Sequence, residues 1–236
     1  MQDLTPLPAT DARCGDIRAG VGWGGEGMTK DNGVTPDQES PSAVGETRLS
    51  KSVTINKYKQ LEAQEDKRAI AAFIVERFDE RYFNPVMNSC SKHGFTMMAV
   101  GCLVIETLES FYQGWHSSKG KEPFMKFFER QKNQGGPLGV FANHEIKFHD
   151  NIRNGILHQA ETKGGWKIRR SGVLLDLNDT TINAECFIRE LKKSVAQYAN
   201  RLQTDPDPVL WRNFKKKMER VCKNCGRDNA VAHNKS

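Results

Sequence analysis

The residues best suited to chemistry are Arg153, Asn154 and His158, in the run Arg153-Asn154-Gly155-Ile156-Leu157-His158. An imidazole can take or give a proton near neutral pH. A guanidinium stays charged and presents a planar fork to phosphate oxygens. Asn154 can hydrogen-bond the imidazole and hold it in one orientation. On a straight α-helix Asn154 and His158 share a face at i and i+4, with Lys147 and Asn151 on the same polar stripe. Arg153 and His158 lie about 140° apart at roughly 100° per residue. Either Gly155 bends the helix, or a second copy of the chain completes the arrangement across a two-fold axis.

A helix over 143–161 must carry these residues, with Phe148, Ile152, Gly155 and Ile156 on its buried face. The surrounding pattern predicts a mainly α fold, a helical bundle. Apolar residues recur at helical spacing over 66–82, with Pro85 as the stop. The stretch 95–112 is apolar almost all round at its start, as a central helix would be, and gains Glu106 and Glu109 later. Glu106 could assist proton transfer or pair with Arg153; otherwise the two acids mark the helix's solvated end. A short helix opens at Pro123 over 124–131 and ends at Gly135-Gly136-Pro137. The segments 166–170 and 173–177, joined by Ser171-Gly172, read as one small β-hairpin before the last long helix. Candidate caps for that helix are Asn178, Asp179, Thr180 and Thr181. Its stripe is Ala184, Phe187, Ile188, Leu191, Val195, Tyr198 and Leu202. A short basic helix over 209–221 and a loose terminus follow.

An Arg, four to six residues and a His, with a polar residue after the Arg, resembles the signature of the HEPN superfamily of helical-bundle domains. The resemblance spans residues 60–205. It implies a metal-independent endoribonuclease that dimerises to build its site, with Arg153, Asn154 and His158 as catalytic residues and no cofactor. A toxin or defence role and a regulatory partner protein are further implications. In such chemistry the ribose 2′-OH attacks phosphorus, a base takes its proton, an acid protonates the departing 5′-oxygen and a cation stabilises the added charge. The same spacing class also fits Arg227-Asp228 to His233, in a stretch with nothing to hold a catalytic geometry.

Candidate RNA-binding cations are Lys167, Arg169 and Arg170, which follow the motif helix closely. Lys215, Lys216 and Lys217 come after Trp211 and Phe214. Lysines neutralise phosphates and aromatics stack bases, though a solvated helix with two core aromatics gives the same pattern. Cys222-Lys223-Asn224-Cys225 is half of a zinc knuckle, short of the four ligands that a structural site needs even with His233. No metal is expected. His144 and His149, five apart, do not form an i,i+4 metal pair and read as surface or packing residues.

Net charge is +6 over 236 residues. Residues 1–55 hold 8 acidic and 5 basic side chains, which leaves +9 for the rest and suits an anionic partner. That first stretch is rich in Gly, Pro, Ser and Asp and is expected to be a disordered tail. Residues 56–205 form the helical domain, and 206–236 a basic helix and loose tail. Six scattered cysteines fit a reducing, cytoplasmic compartment rather than a disulfide scaffold. The apolar run 95–105 is short for a membrane span, so no membrane is expected. The alternative function is a non-catalytic helical module binding RNA, a nucleotide or a protein partner.

Overall fold

The computed structural model describes residues 47–89, 93–117 and 120–225. Helices dominate, as the apolar periodicity requires. The remainder of the expected tail, residues 1–46, lies outside the described residues, as do Arg227 and His233.

The folded part starts before residue 55. Residues 47–54 make a tight strap, closed by an Arg48–Thr54 bridge and a Leu49 N–H to Val53 O bond of 2.8 Å. Leu49, Val53 and Ile55 are buried. The second helix and the turn after it hold the strap: Arg77 and Arg81 donate to the Leu49 carbonyl, the latter at 2.9 Å, and Glu80 accepts from the Lys51 N–H at 2.7 Å. Composition hid this because three apolar residues in a polar stretch carry no periodic signal.

Helix α1 (Ile55–Ala63) is capped by Thr54 and α2 (Lys67–Phe78) by Asp66. The chain does not stop at Pro85. It continues through a π-helical turn (Asp79–Phe83) into α3 (Asn84–Met87), where Pro85 occupies the first turn. A missing N–H costs nothing there. Helix α4 (Gly94–Gln113) ends at Gly114 in the left-handed region. It is long and apolar enough to cross a membrane by composition, yet its Met97, Met98, Cys102, Val104, Ile105, Leu108 and Phe111 are buried in the core. Glu109 is wholly buried rather than at a solvated end and pairs with Arg130, whose guanidinium lies 3.7 Å over the Tyr112 ring.

Helix α5 (Glu122–Asn133) and a 3-10 turn (Pro137–Phe141) lead to α6 (Glu145–Lys147), a π-helical turn (Phe148–Arg153) and α7 (Asn154–Gln159). Phe148 anchors the π turn. Its ring stacks on Phe187 at 5.5 Å and meets Phe128 and Phe141 edge-on.

The small sheet sits where a hairpin was expected, but its pairing differs. Strand β1 (Lys167–Arg169) runs parallel to β3 (Thr181–Asn183), and β2 (Leu175–Asp176) runs antiparallel to β3. The order β1-β3-β2 leaves β1 and β2 unpaired with each other. Ile182 explains the choice: it is fully buried and seats β3 centrally, whereas Val173 in the expected second strand is 67% exposed. Asn183 caps α8 (Ala184–Thr204), accepting from the Cys186 N–H at 3.1 Å; none of residues 178–181 does. Every residue of the expected α8 stripe is buried.

Helix α9 (Pro208–Cys225) is longer than expected and belongs to the bundle. Leu210, Trp211, Phe214 and Met218 are buried, and the Phe214 ring meets Tyr58, Phe111 and Trp211. The two aromatics before the lysines are therefore core residues.

Candidate functional site

The π turn ends where the candidate site begins. The Asn154 N–H reaches back five residues to the His149 carbonyl. Phe148, His149 and Ile152 face inward, and Arg153 starts the exit toward solvent. Such turns recur at functional sites because they re-aim side chains within a continuous helix.

Arg153 connects the cluster. Its Nε donates to Glu106 Oε1 at 3.0 Å, an ion pair between α4 and the motif helix. Its Nη1 donates to Asn154 Oδ1 at 3.1 Å and faces His158 Nε2 at 3.4 Å. The guanidinium is about a quarter exposed and His158 is exposed. One chain thus brings Arg153, Asn154 and His158 together, with Glu106 as the fourth member. The angular mismatch on the wheel concerns Cα vectors, and the long arginine stem covers it. Asn154 orients the guanidinium here, not the imidazole.

A guanidinium has donors only, so His158 Nε2 faces it with its lone pair. That atom is the one able to take a proton. Glu106 meanwhile fixes Nε.

Gly155, central to the motif, allows a close approach of the following chain. A Cβ there would lie 2.5 Å from the Glu161 carbonyl oxygen and 3.1 Å from Thr162 Cα. The chain at 161–163 crosses directly over it, held by the Lys163 N–H to Asn151 O bond of 2.9 Å and the Thr162 hydroxyl to Trp166 O bond of 2.5 Å. This crossing loop is the positioning element that sequence reading missed. Its one signal was a glycine inside the motif followed by Gly164-Gly165.

The expected cations divide into two sets. Lys167 and Arg169 share Asp179, at 2.5 and 3.3 Å, and Arg170 Nε bonds Glu185 at 2.6 Å. Hydrogen bonds from Lys167 and Thr181 hold the Asp179 carboxyl below its ordinary range. These residues sit at the start of α4, where a Cβ on Gly94 would meet Ile168 at 3.0 Å. The second set lies at the other end of α4. Lys217 Nζ donates to the His116 carbonyl at 3.0 Å, Lys215 lies 6.0 Å over the Trp211 ring, and Lys216 is exposed. A helix of 20 residues separates the two sets by about 30 Å. Burial lowers the Lys217 ammonium's pKa.

His149 is a packing residue, buried against the Phe124 ring at 5.6 Å with Nδ1 2.7 Å from Asp150. Cys222 is half-buried and Cys225 exposed. Burial pushes the Cys222 thiol up to about 11. Among the described residues no three His, Cys, Asp or Glu side chains group to hold a metal ion.

No family model, no curated protein and no solved structure matches the chain.

Proposed function

We propose that the protein is an endoribonuclease whose chemistry is carried by Arg153 and His158. The supporting observation is their convergence within one chain, with the guanidinium held by Glu106 and a quarter of the arginine side chain exposed. His158 Nε2 takes the proton of the ribose 2′-OH as that oxygen bonds to phosphorus. Arg153 binds the non-bridging oxygens as charge builds on them. The bond from phosphorus to the 5′-oxygen breaks, and that oxygen receives a proton. The products are a 2′,3′-cyclic phosphate and a 5′-hydroxyl. Proton transfer and charge stabilisation are both supplied by side chains, so no metal enters the scheme.

The cluster in one chain has a single histidine, and its one carboxylate, Glu106, is tied to Arg153, so a free second proton-transfer group is lacking there. A second copy supplies the other His158 when the two sites face each other. Leu157 beside His158 is 39% exposed, an apolar residue suited to such a contact. Sedimentation at micromolar concentration is expected to show a dimer, and Leu157→Glu to give a monomer without activity. An active monomer would remove the second copy from the scheme. A toxin or defence role, with a regulatory partner, belongs to the same proposal.

The Glu106–Arg153 ion pair favours one other reading. In it Arg153 is structural and the domain binds RNA, a nucleotide or a protein without cutting. Product analysis separates the two: RNA fragments ending in 2′,3′-cyclic phosphate support the nuclease, and intact RNA retained by the protein supports the binding module.

A further inference from the structure

We infer that the groove at the start of α4 is a second RNA subsite that holds one nucleotide of a single strand whose scissile bond lies at His158. The groove runs between the first turn of α4 and the end of β1, with a volume of about 500 Å³. That is within the range of small-ligand pockets. Phe95, Arg169, Arg170, Ser171 and Glu185 line it. A smaller, more enclosed hollow with Met87 and Arg189 adjoins it, sharing Arg170 and Glu185.

Phe95 is 36% exposed, on the face of α4 that turns away from the core. Among the described residues its ring stacks on no other ring, so its face is available to a base. The charge around it is unbalanced. Lys167, Arg169, Arg170 and Arg189 are four cations; Asp179 and Glu185 are the two carboxylates that pair with them, and Arg189 bonds the Cys186 sulfur instead. Asp176 lies against Asp179 as well, so among the described residues the balance is one positive charge, which beside an exposed aromatic suits a phosphate and a base better than an apolar peptide. Arg169 is more than half exposed, and exposed ion pairs contribute little stability, so a phosphate can replace Asp179 as its partner.

Position ties the groove to the cleavage site. Phe95, Ala99, Leu103 and Glu106 fall on one face of α4 at i, i+4, i+8 and i+11, and none of them is buried. From Phe95 to Glu106 the helix rises about 16 Å. A stacked strand advances about 3.4 Å per nucleotide, so about five nucleotides span the gap. The inference rests on the nuclease reading for the identity of the strand. It adds that binding depends on RNA length, and that the lysines of α9 lie off the path.

The test is fluorescence anisotropy with labelled single-stranded RNA carrying 2′-deoxy substitutions that block cleavage. A dodecamer and a trinucleotide are compared on the full chain and on Phe95→Ala and Arg169→Ala, with unfolding temperatures recorded. The dodecamer is expected to bind at least tenfold tighter than the trinucleotide. Each variant is expected to weaken the dodecamer about tenfold and to narrow that difference. Phe95→Tyr, which keeps the stacking face, is expected to retain tight binding and covers the case in which Phe95→Ala loses stability. Equal affinity for the two lengths, or variants that bind the dodecamer like the native chain, would overturn the inference. A cleavage assay on natural RNA separates the two claims. Groove-dependent binding without cleavage keeps the subsite and removes the nuclease; cleavage with unaltered binding in the variants does the reverse. Absence of RNA binding by the native chain overturns the subsite outright.

Discussion

Arg153 Nη1 lies 3.4 Å from His158 Nε2 in the same chain, although the two residues point about 140° apart on an ideal helix. The contact depends on Glu106, which draws the guanidinium across from α4, and on the π turn that delivers Arg153 to the surface. Cation and proton acceptor are therefore assembled by tertiary packing rather than by helical spacing.

The loop crossing at Gly155 is part of that assembly. Gly155→Ala places a methyl 2.5 Å from the Glu161 carbonyl, a backbone atom that cannot rotate away. A loss of about 1–3 kcal/mol is expected from such overpacking. Activity should fall further than stability explains, because the loop and the helix end that carries His158 must separate. Denaturant titration and initial rates on the same preparation measure both. An unchanged midpoint with unchanged rates would show that the loop yields freely.

The strap gives a second expectation. Leu49 is fully buried and its carbonyl accepts from Arg77 of α2 and Arg81 of the π turn that follows. Leu49→Ala should cost about 2–5 kcal/mol, as for other fully buried leucines. Deletion through residue 55 should destabilise the bundle at least as much. Thermal unfolding of the two variants decides it, and a deletion variant as stable as the full chain would return the strap to the tail.

How much of this was legible in the sequence depends on burial. The α8 stripe from Ala184 to Leu202 and the apolar start of α4 were readable because a buried helix face repeats with the helical period. Pairing of Glu106 with Arg153 was among the sequence readings. Strand β3 was not legible: three residues, Thr181 to Asn183, are too few for periodicity, and the stretch also looked like a helix cap. The π turn was invisible because one extra residue in a helical turn leaves no mark in the apolar spacing; Phe148 at its start stacks on Phe187, a contact 39 residues away in sequence. Lys215 to Lys217 looked like a nucleic-acid stripe because sequence alone cannot tell which aromatics beside lysines are buried.

The Cys222 thiol supplies a pH dependence. Burial raises it above its ordinary value to about 11, so the folded chain favours the neutral thiol. A group raised on folding contributes stability that is complete below its unfolded value, roughly 8.5. That contribution is lost as pH rises toward 11. Unfolding temperature should decline across this window, and Cys222→Ala should flatten the decline. At pH 8 iodoacetamide should label exposed Cys225 ahead of Cys222, as mass spectrometry of digests would record. Equal labelling rates would show that Cys222 is open to solvent.

The central claim is that Arg153 and His158 cut RNA by direct proton transfer and charge stabilisation. The most direct measurement is the cleavage rate on single-stranded RNA in EDTA for the native chain, His158→Ala, Arg153→Ala, Arg153→Lys and Asn154→Ala, with unfolding temperatures alongside. The native chain should cut. The His158 variant should lose about 10²–10⁴-fold in rate, the usual contribution of a general acid–base group. Arg153→Ala should be comparably inactive. Arg153→Lys keeps a partner for Glu106 but not the planar fork, so it should remain folded and impaired. Asn154→Ala should lose less, because it only steadies the guanidinium. A native chain that leaves a broad RNA panel intact with and without divalent ions, or a His158→Ala variant that cuts at the native rate, would contradict the account.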